Sequence, residues 1–116
     1  MNALGIILHF AAAHFLPGYD GPCGKMHGHT WRVEFKFRYN PNKLDACGIA
    51  VDFKGLKAAL KPILPDHLCL NDIMPKPSAE MLVEYFLRRL IEIGVFPPVE
   101  SIQVWESETA YAEWHA

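Results

Sequence analysis

The stretch from His29 to Tyr39, HTWRVEFKFRY, constrains the fold more than any other part of the chain. Trp31, Val33, Phe35, Phe37 and Tyr39 alternate with Arg32, Glu34, Lys36 and Arg38. Side chains on a strand leave alternate faces, so this pattern makes one apolar face and one charged face. Such a strand belongs in an antiparallel sheet with one side wet and the other packed.

The rest of the chain supplies the packing partner. Ala3 to Phe15 is rich in Ile, Leu, Phe and Ala and reads as a strand. LPGYDGPCGKMHG follows, dense in Gly and Pro, and reads as a loop. NPNKLDACG is a turn-rich connection. Asp52 is placed to cap a helix, with Phe53, Leu56, Leu60 and Leu64 at helical spacing behind it. Pro62 kinks that helix or ends it early. LPDHLCLND reads as a loop. Ser78 caps a second helix, with Glu80 favourable in its first turn. This helix runs to about Ile93, with Leu82, Tyr85, Phe86 and Leu90 on one face, and Gly94 stops it. After Pro97 and Pro98, Ser101 to Trp105 and Ala110 to Trp114 read as a strand hairpin. The order strand, strand, helix, helix, strand, strand implies an α+β fold: an antiparallel sheet with both helices on one face.

The 116 residues, 51% of them hydrophobic, suit one domain over 1–116 with a true core. No apolar run reaches the roughly 18 residues of a membrane span. The opening MNALGIILHFAAAHF lacks basic residues and is broken by His9 and His14, so it does not read as a signal peptide. Net charge is −2 and the basic residues are scattered, which argues against a nucleic-acid partner. Cys23, Cys47 and Cys69 are odd in number and form no CxxC pair, which suits a reducing compartment, the cytoplasm.

The stretch CGKMHGH, Cys23 to His29, carries the densest chemistry. His27 and His29 share parity, so on a strand both leave one face. If the first two strands pair as a hairpin, His14 lies opposite the start of the second. Three strand-borne histidines with an open fourth position is a pattern of catalytic zinc. An HGH triplet alone is readily a turn, and His14 is what strengthens the metal reading. His9, of opposite parity to His14, reads as structural or exposed. Cys23 sits close by; a thiolate near a metal or a protonated His is a base or nucleophile, and otherwise it is a plain loop cysteine, as Cys47 and Cys69 are. An Asp66-His67 pair would make a proton-transfer unit, but neighbours in an extended loop usually point apart, and the pair gains force only if a third group such as Cys23 completes a relay. Glu106 ends the run SIQVWE, either as an ordinary strand-end carboxylate or as an acceptor for an amidine-like N–H pair.

Together, FAAAHFL, CGKMHGHTWRVEF, VDFKGLK, DHLCLN, PSAEMLVEYF and VWES resemble, in order and spacing, the 6-pyruvoyl-tetrahydropterin synthase / 6-carboxytetrahydropterin synthase family over nearly the whole chain. The resemblance implies the tunnelling fold: a four-stranded antiparallel sheet with two helices on its outer face, joined into a barrel as trimers that stack into homohexamers. It implies active sites at subunit borders, where Asp66 and His67 meet a neighbour's Cys23. It implies Zn²⁺ on His14, His27 and His29, Cys23 as general base, Asp66 and His67 as its partners, and Glu106 as the pterin anchor. Ser78, Ala79 and Glu80 match the stretch lining the pterin pocket. Met81 stands where asparagine is usual, and Pro65 where leucine is usual.

The C-x-x-x-H-G-H spacing resembles the 6-carboxytetrahydropterin synthases of the queuosine pathway. The absence of an acidic residue between Cys23 and His27 sets the chain apart from the folate branch. The implied reaction converts 7,8-dihydroneopterin triphosphate to 6-carboxytetrahydropterin, acetaldehyde and triphosphate. The alternatives are a 6-pyruvoyl product, or a non-catalytic zinc-stabilised binding module.

Overall fold

The computed structural model describes residues 2–94 and 97–116. The alternating stretch is the centre of the sheet. As strand β2 it runs His27–Tyr39 and pairs on both edges. On one side lies β1, Asn2–His14, and on the other β4, Val99–Trp105, both antiparallel. The strand β5, Tyr111–His115, closes the hairpin with β4. The sequence implied four strands; the sheet has five, because Leu68–Cys69 forms β3 parallel to β1. Two residues inside a loop cannot display a period, so alternation could not reveal β3.

The β1–β2 register is unbroken from Asn2↔Tyr39 to His14↔His27. Cross-strand partners share a face, so Ile6, Leu8, Phe10 and Ala12 join Trp31, Val33, Phe35 and Phe37 in one buried layer. Ile102 and Val104 extend it across β4. His14, His27 and His29 continue that same layer at its end.

Two helices cover this layer. Helix α1, Phe53–Leu60, begins where Asp52 accepts the Lys54 N–H at 3.3 Å. It passes at Lys61–Ile63 into a tighter 3₁₀ turn that holds Pro62. Leu56 and Leu60 are buried, but Phe53 is exposed and Leu64 lies beyond the helix, so its inner face is shorter than the spacing implied. Helix α2, Ala79–Ile93, is capped by Ser78, whose Oγ accepts the Met81 N–H at 3.2 Å. Gly94 ends it in the left-handed region at φ 70°. Leu82, Phe86 and Leu90 are buried as their spacing implied; Tyr85 is half-buried and its hydroxyl donates to the Ile63 carbonyl at 3.3 Å. Phe86 sets its ring edge-on to Phe10 and Phe35, joining α2 to the two central strands.

Among the described residues, β3 pairs with β1 only at Ala12 and Ala13, and β5 has no partner on its outer side. The sheet therefore keeps an open edge at each end.

Candidate metal centre

The end of the buried layer changes from hydrocarbon to imidazole. His14 is the last residue of β1 and His27 the first of β2, and they face each other in register. His29 follows on β2 and Glu106 directly follows β4. The structure gathers these four: one ligand atom from each lies within 4.8 Å of all the others. His14 is fully buried beside Trp31, and the other three are half-buried.

Hydrogen bonds orient the rings. His14 Nδ1 lies 2.6 Å from the Pro77 carbonyl, just before the cap of α2. His27 Nδ1 lies 2.6 Å from the Lys25 carbonyl. A carbonyl only accepts, so each Nδ1 carries the hydrogen and each Nε2 offers a lone pair. Those two Nε2 atoms sit 3.0 Å apart. Two lone pairs at that distance repel unless a cation lies with them. His29 Nε2 is buried without a well-directed hydrogen bond, although Glu106 Oε1 is 3.1 Å away. Burial lowers the His29 pKa below its usual 6.5, opposed by the Glu106 carboxylate and reinforced by His14 and His27. The neutral ring is the ligand form. Three imidazoles and a carboxylate, with an orphaned nitrogen aimed among them, fit a divalent metal ion; imidazole suits several.

Cys23 lies in the loop joining β1 to β2, on a 3₁₀ turn Pro22–Gly24, and is half-buried. It is not part of the four-residue group. The loop is drawn tight: Leu16 donates its N–H to the Cys23 carbonyl at 2.9 Å, and Tyr19 to the Leu16 carbonyl at 3.2 Å. A Cβ at Gly24 would collide with the Tyr19 carbonyl oxygen. Gly24→Ala is expected to cost about 1–3 kcal/mol, the usual penalty for forcing atoms into a filled space. Denaturant unfolding checks this, and a variant as stable as its parent contradicts the close approach.

Asp66 and His67 do meet, contrary to the expectation for adjacent loop residues. His67 Nδ1 is 3.0 Å from Asp66 Oδ2. The cause is backbone geometry: His67 takes φ 58°, rare for a residue with a side chain, which turns its ring back to its neighbour. Asp66 Oδ1 accepts the Ala11 N–H at 2.8 Å. That bond, aided by His67, holds the Asp66 carboxyl below its usual 3.8. A depressed carboxyl pKa favours the folded state at neutral pH, and the benefit fades only as pH falls through the folded value, below 3.8. His67 remains exposed at the outer edge of β1. A shallow depression of about 620 Å³ is lined by His29 and His67 together with Thr30 and Cys69. A more enclosed apolar cavity of about 450 Å³ lies at the opposite end of β1, by Ala3, Tyr39 and Phe53, and holds none of the candidate residues.

Ser78 spends its hydroxyl on the helix cap, and Glu80 is exposed on the first turn of α2. Both stand close in sequence to Pro77, whose carbonyl holds His14. His9 is exposed, paired with Arg32 on the other face. Met81 is exposed and Pro65 buried. The carbonyls of Pro77 and Lys25 leave no side-chain signature in the sequence.

An antiparallel sheet under two helices, with a His₃–carboxylate pocket at the strand ends, defines a small α+β protein with a centre able to hold a metal. Known proteins share the chain's sequence and fold. The family model for 6-pyruvoyl tetrahydropterin synthase matches residues 4–116. The 6-carboxy-5,6,7,8-tetrahydropterin synthase of Synechocystis sp. is 34% identical over 112 residues, covering 90% of this chain and 86% of the relative. The protein of the same name from Haemophilus influenzae is 24% identical over 131 residues, covering 90% and 92%. Among solved structures, the 6-pyruvoyl tetrahydropterin synthase of Caenorhabditis elegans superposes with a TM-score of 0.83 at 19% identity, covering 99% of this chain and 95% of that one. The chain belongs to the 6-pyruvoyl tetrahydropterin synthase family, has its tunnelling fold and is a lyase-class enzyme.

Proposed function

We propose that the protein converts 7,8-dihydroneopterin triphosphate and water to 6-carboxy-5,6,7,8-tetrahydropterin, acetaldehyde and triphosphate, as a step of queuosine biosynthesis in the cytoplasm. The single observation that carries this reading is the convergence of His14, His27, His29 and Glu106 at one end of the sheet in a member of this family. The relatedness to proteins named 6-carboxy-5,6,7,8-tetrahydropterin synthase favours the carboxy product.

In this account His14, His27 and His29 hold Zn²⁺. Bound there, the ion would supply Lewis acidity toward the side-chain hydroxyls of a substrate. Cys23 takes a proton from the substrate side chain. His67, oriented by Asp66, is the acid/base partner. Relocating protons in this way reduces the pterin ring at the expense of its side chain, which then loses triphosphate and breaks a carbon–carbon bond. Glu106 accepts hydrogen bonds from the 2-amino and N3 groups of the pterin, while Ser78 and Glu80 border the ring. Relaying a proton between Cys23 and His67 fits an assembly of copies, in which one chain's loop meets another's β3 segment. The open edges of β1 and β5 support such a barrel of trimers and a hexamer.

The likeness to a structure named 6-pyruvoyl tetrahydropterin synthase favours a second reading, elimination of triphosphate without carbon–carbon cleavage. Mass spectrometry of the products from zinc-loaded protein and 7,8-dihydroneopterin triphosphate separates the two. The expected result is 6-carboxytetrahydropterin with equimolar acetaldehyde. A 6-pyruvoyl product overturns the carboxy assignment. No turnover by folded, zinc-bound protein overturns both and leaves a binding module.

A further inference from the structure

The segment 66–71 does more than carry His67. It lies along the outer edge of β1 at its end and satisfies Ala11 to Phe15 rung by rung. Asp66 Oδ1 accepts the Ala11 N–H, and His67 donates its N–H to the Ala11 carbonyl at 2.6 Å. Leu68 and Cys69 pair with Ala12 and Ala13 as β3. Then the backbone turns away at Leu70, which is fully buried and accepts the N–H groups of Ile73 and Met74. At that point a side chain takes over the pairing. Asn71 Oδ1 accepts the Phe15 N–H at 3.0 Å, and Asn71 Nδ2 donates to the Phe15 carbonyl at 2.9 Å.

Phe15 is the junction of the site. His14 precedes it, and Leu16, which follows it, donates to the Cys23 carbonyl. The far end of the same loop is touched as well: Cys69 Sγ lies 3.9 Å from Met26 Sδ, next to His27, and 4.0 Å from Asn71 Oδ1. One segment thus grips the entry of the Cys23 loop by two hydrogen bonds and its exit by a sulfur contact. We infer that Asn71 is a positioning residue that fixes the Cys23 loop, acting through the backbone of Phe15.

The amide is well matched to this task. It presents one acceptor and one donor in the geometry of a peptide group, so it can substitute for a missing strand residue. Aspartate keeps the acceptor for the Phe15 N–H but offers no donor to its carbonyl, and alanine offers neither. This inference is read from contacts within the chain; only its consequence for turnover rests on the proposed reaction.

The test uses zinc-loaded full-length protein with Asn71→Ala and Asn71→Asp. Amide hydrogen exchange at Phe15 and Leu16, and the rate of Cys23 alkylation by iodoacetamide with exposed Cys47 as internal reference, are measured beside metal content and turnover. Asn71→Ala is expected to speed exchange at both amides by about five- to tenfold, the worth of a net hydrogen bond or somewhat more. The Cys23 alkylation rate shifts while that of Cys47 does not, kcat falls more than KM changes, and zinc stays stoichiometric. Asn71→Asp restores protection at the Phe15 amide in part. Parental exchange and Cys23 reactivity in folded Asn71→Ala overturn the inference. So does exchange that rises equally in β4, which marks a merely structural role. If alanine prevents folding, the aspartate variant decides by the same two readouts. Should the parent protein fail to act on the pterin, exchange and alkylation still judge Asn71 on their own.

Discussion

Cys23→Ala is expected to fold, to keep one metal per chain, and to lose turnover of 7,8-dihydroneopterin triphosphate by on the order of a hundred- to ten-thousandfold, the range for removing a positioned acid or base. Three features separate the metal and the thiol. Cys23 is outside the group of four ligand atoms. Its loop is held by backbone bonds, Leu16 to Cys23 and Tyr19 to Leu16, that an alanine side chain leaves in place. And His14 and His27 take their orientation from the carbonyls of Pro77 and Lys25, not from the thiol. Steady-state kinetics with metal analysis checks this. Undiminished turnover contradicts the general-base role, and loss of metal together with turnover would make the cysteine a ligand instead.

His27→Ala is expected to act on the other half of the site. It removes one of three imidazoles and exposes the other two to unshared neighbours. Metal content falls well below one per chain and turnover disappears with it. The fold should survive, because the core of β1, β2 and α2 is built from hydrocarbon residues and His27 is not among them. Its melting point, however, no longer rises on adding zinc. A ligand held at a hundred times its dissociation constant adds about 2.7 kcal/mol to the stability of the folded state, so the parent protein should show a clear rise. An equal rise in His27→Ala contradicts the ligand role.

The sheet was visible in the sequence because one face of it is buried. Trp31 to Phe37 had to alternate, and the cap residues Asp52 and Ser78 mark their helices by local chemistry alone. The gathering of His14 with His27 and His29 was likewise within reach, since a hairpin register follows from parity. What could not be seen depends on long-range geometry. β3 has too few residues to show a period. The meeting of Asp66 with His67 depends on a φ of 58° that no composition rule signals. Glu106 joins the histidines only through the pairing of β2 with β4, far apart in the chain. Asn71 ends the stretch DHLCLN, but its purpose lies in the backbone of Phe15, which carries no sequence signal.

In the proposed reading the three histidines hold a metal at the end of the sheet. The most direct measurement is the metal content of the purified protein, joined to X-ray absorption at that metal's edge. The expected result is one zinc per chain with three imidazole nitrogens at about 2.0–2.1 Å and no sulfur in its shell. Protein that is folded but takes up no stoichiometric metal, or a metal bound through Cys23 sulfur, would contradict it.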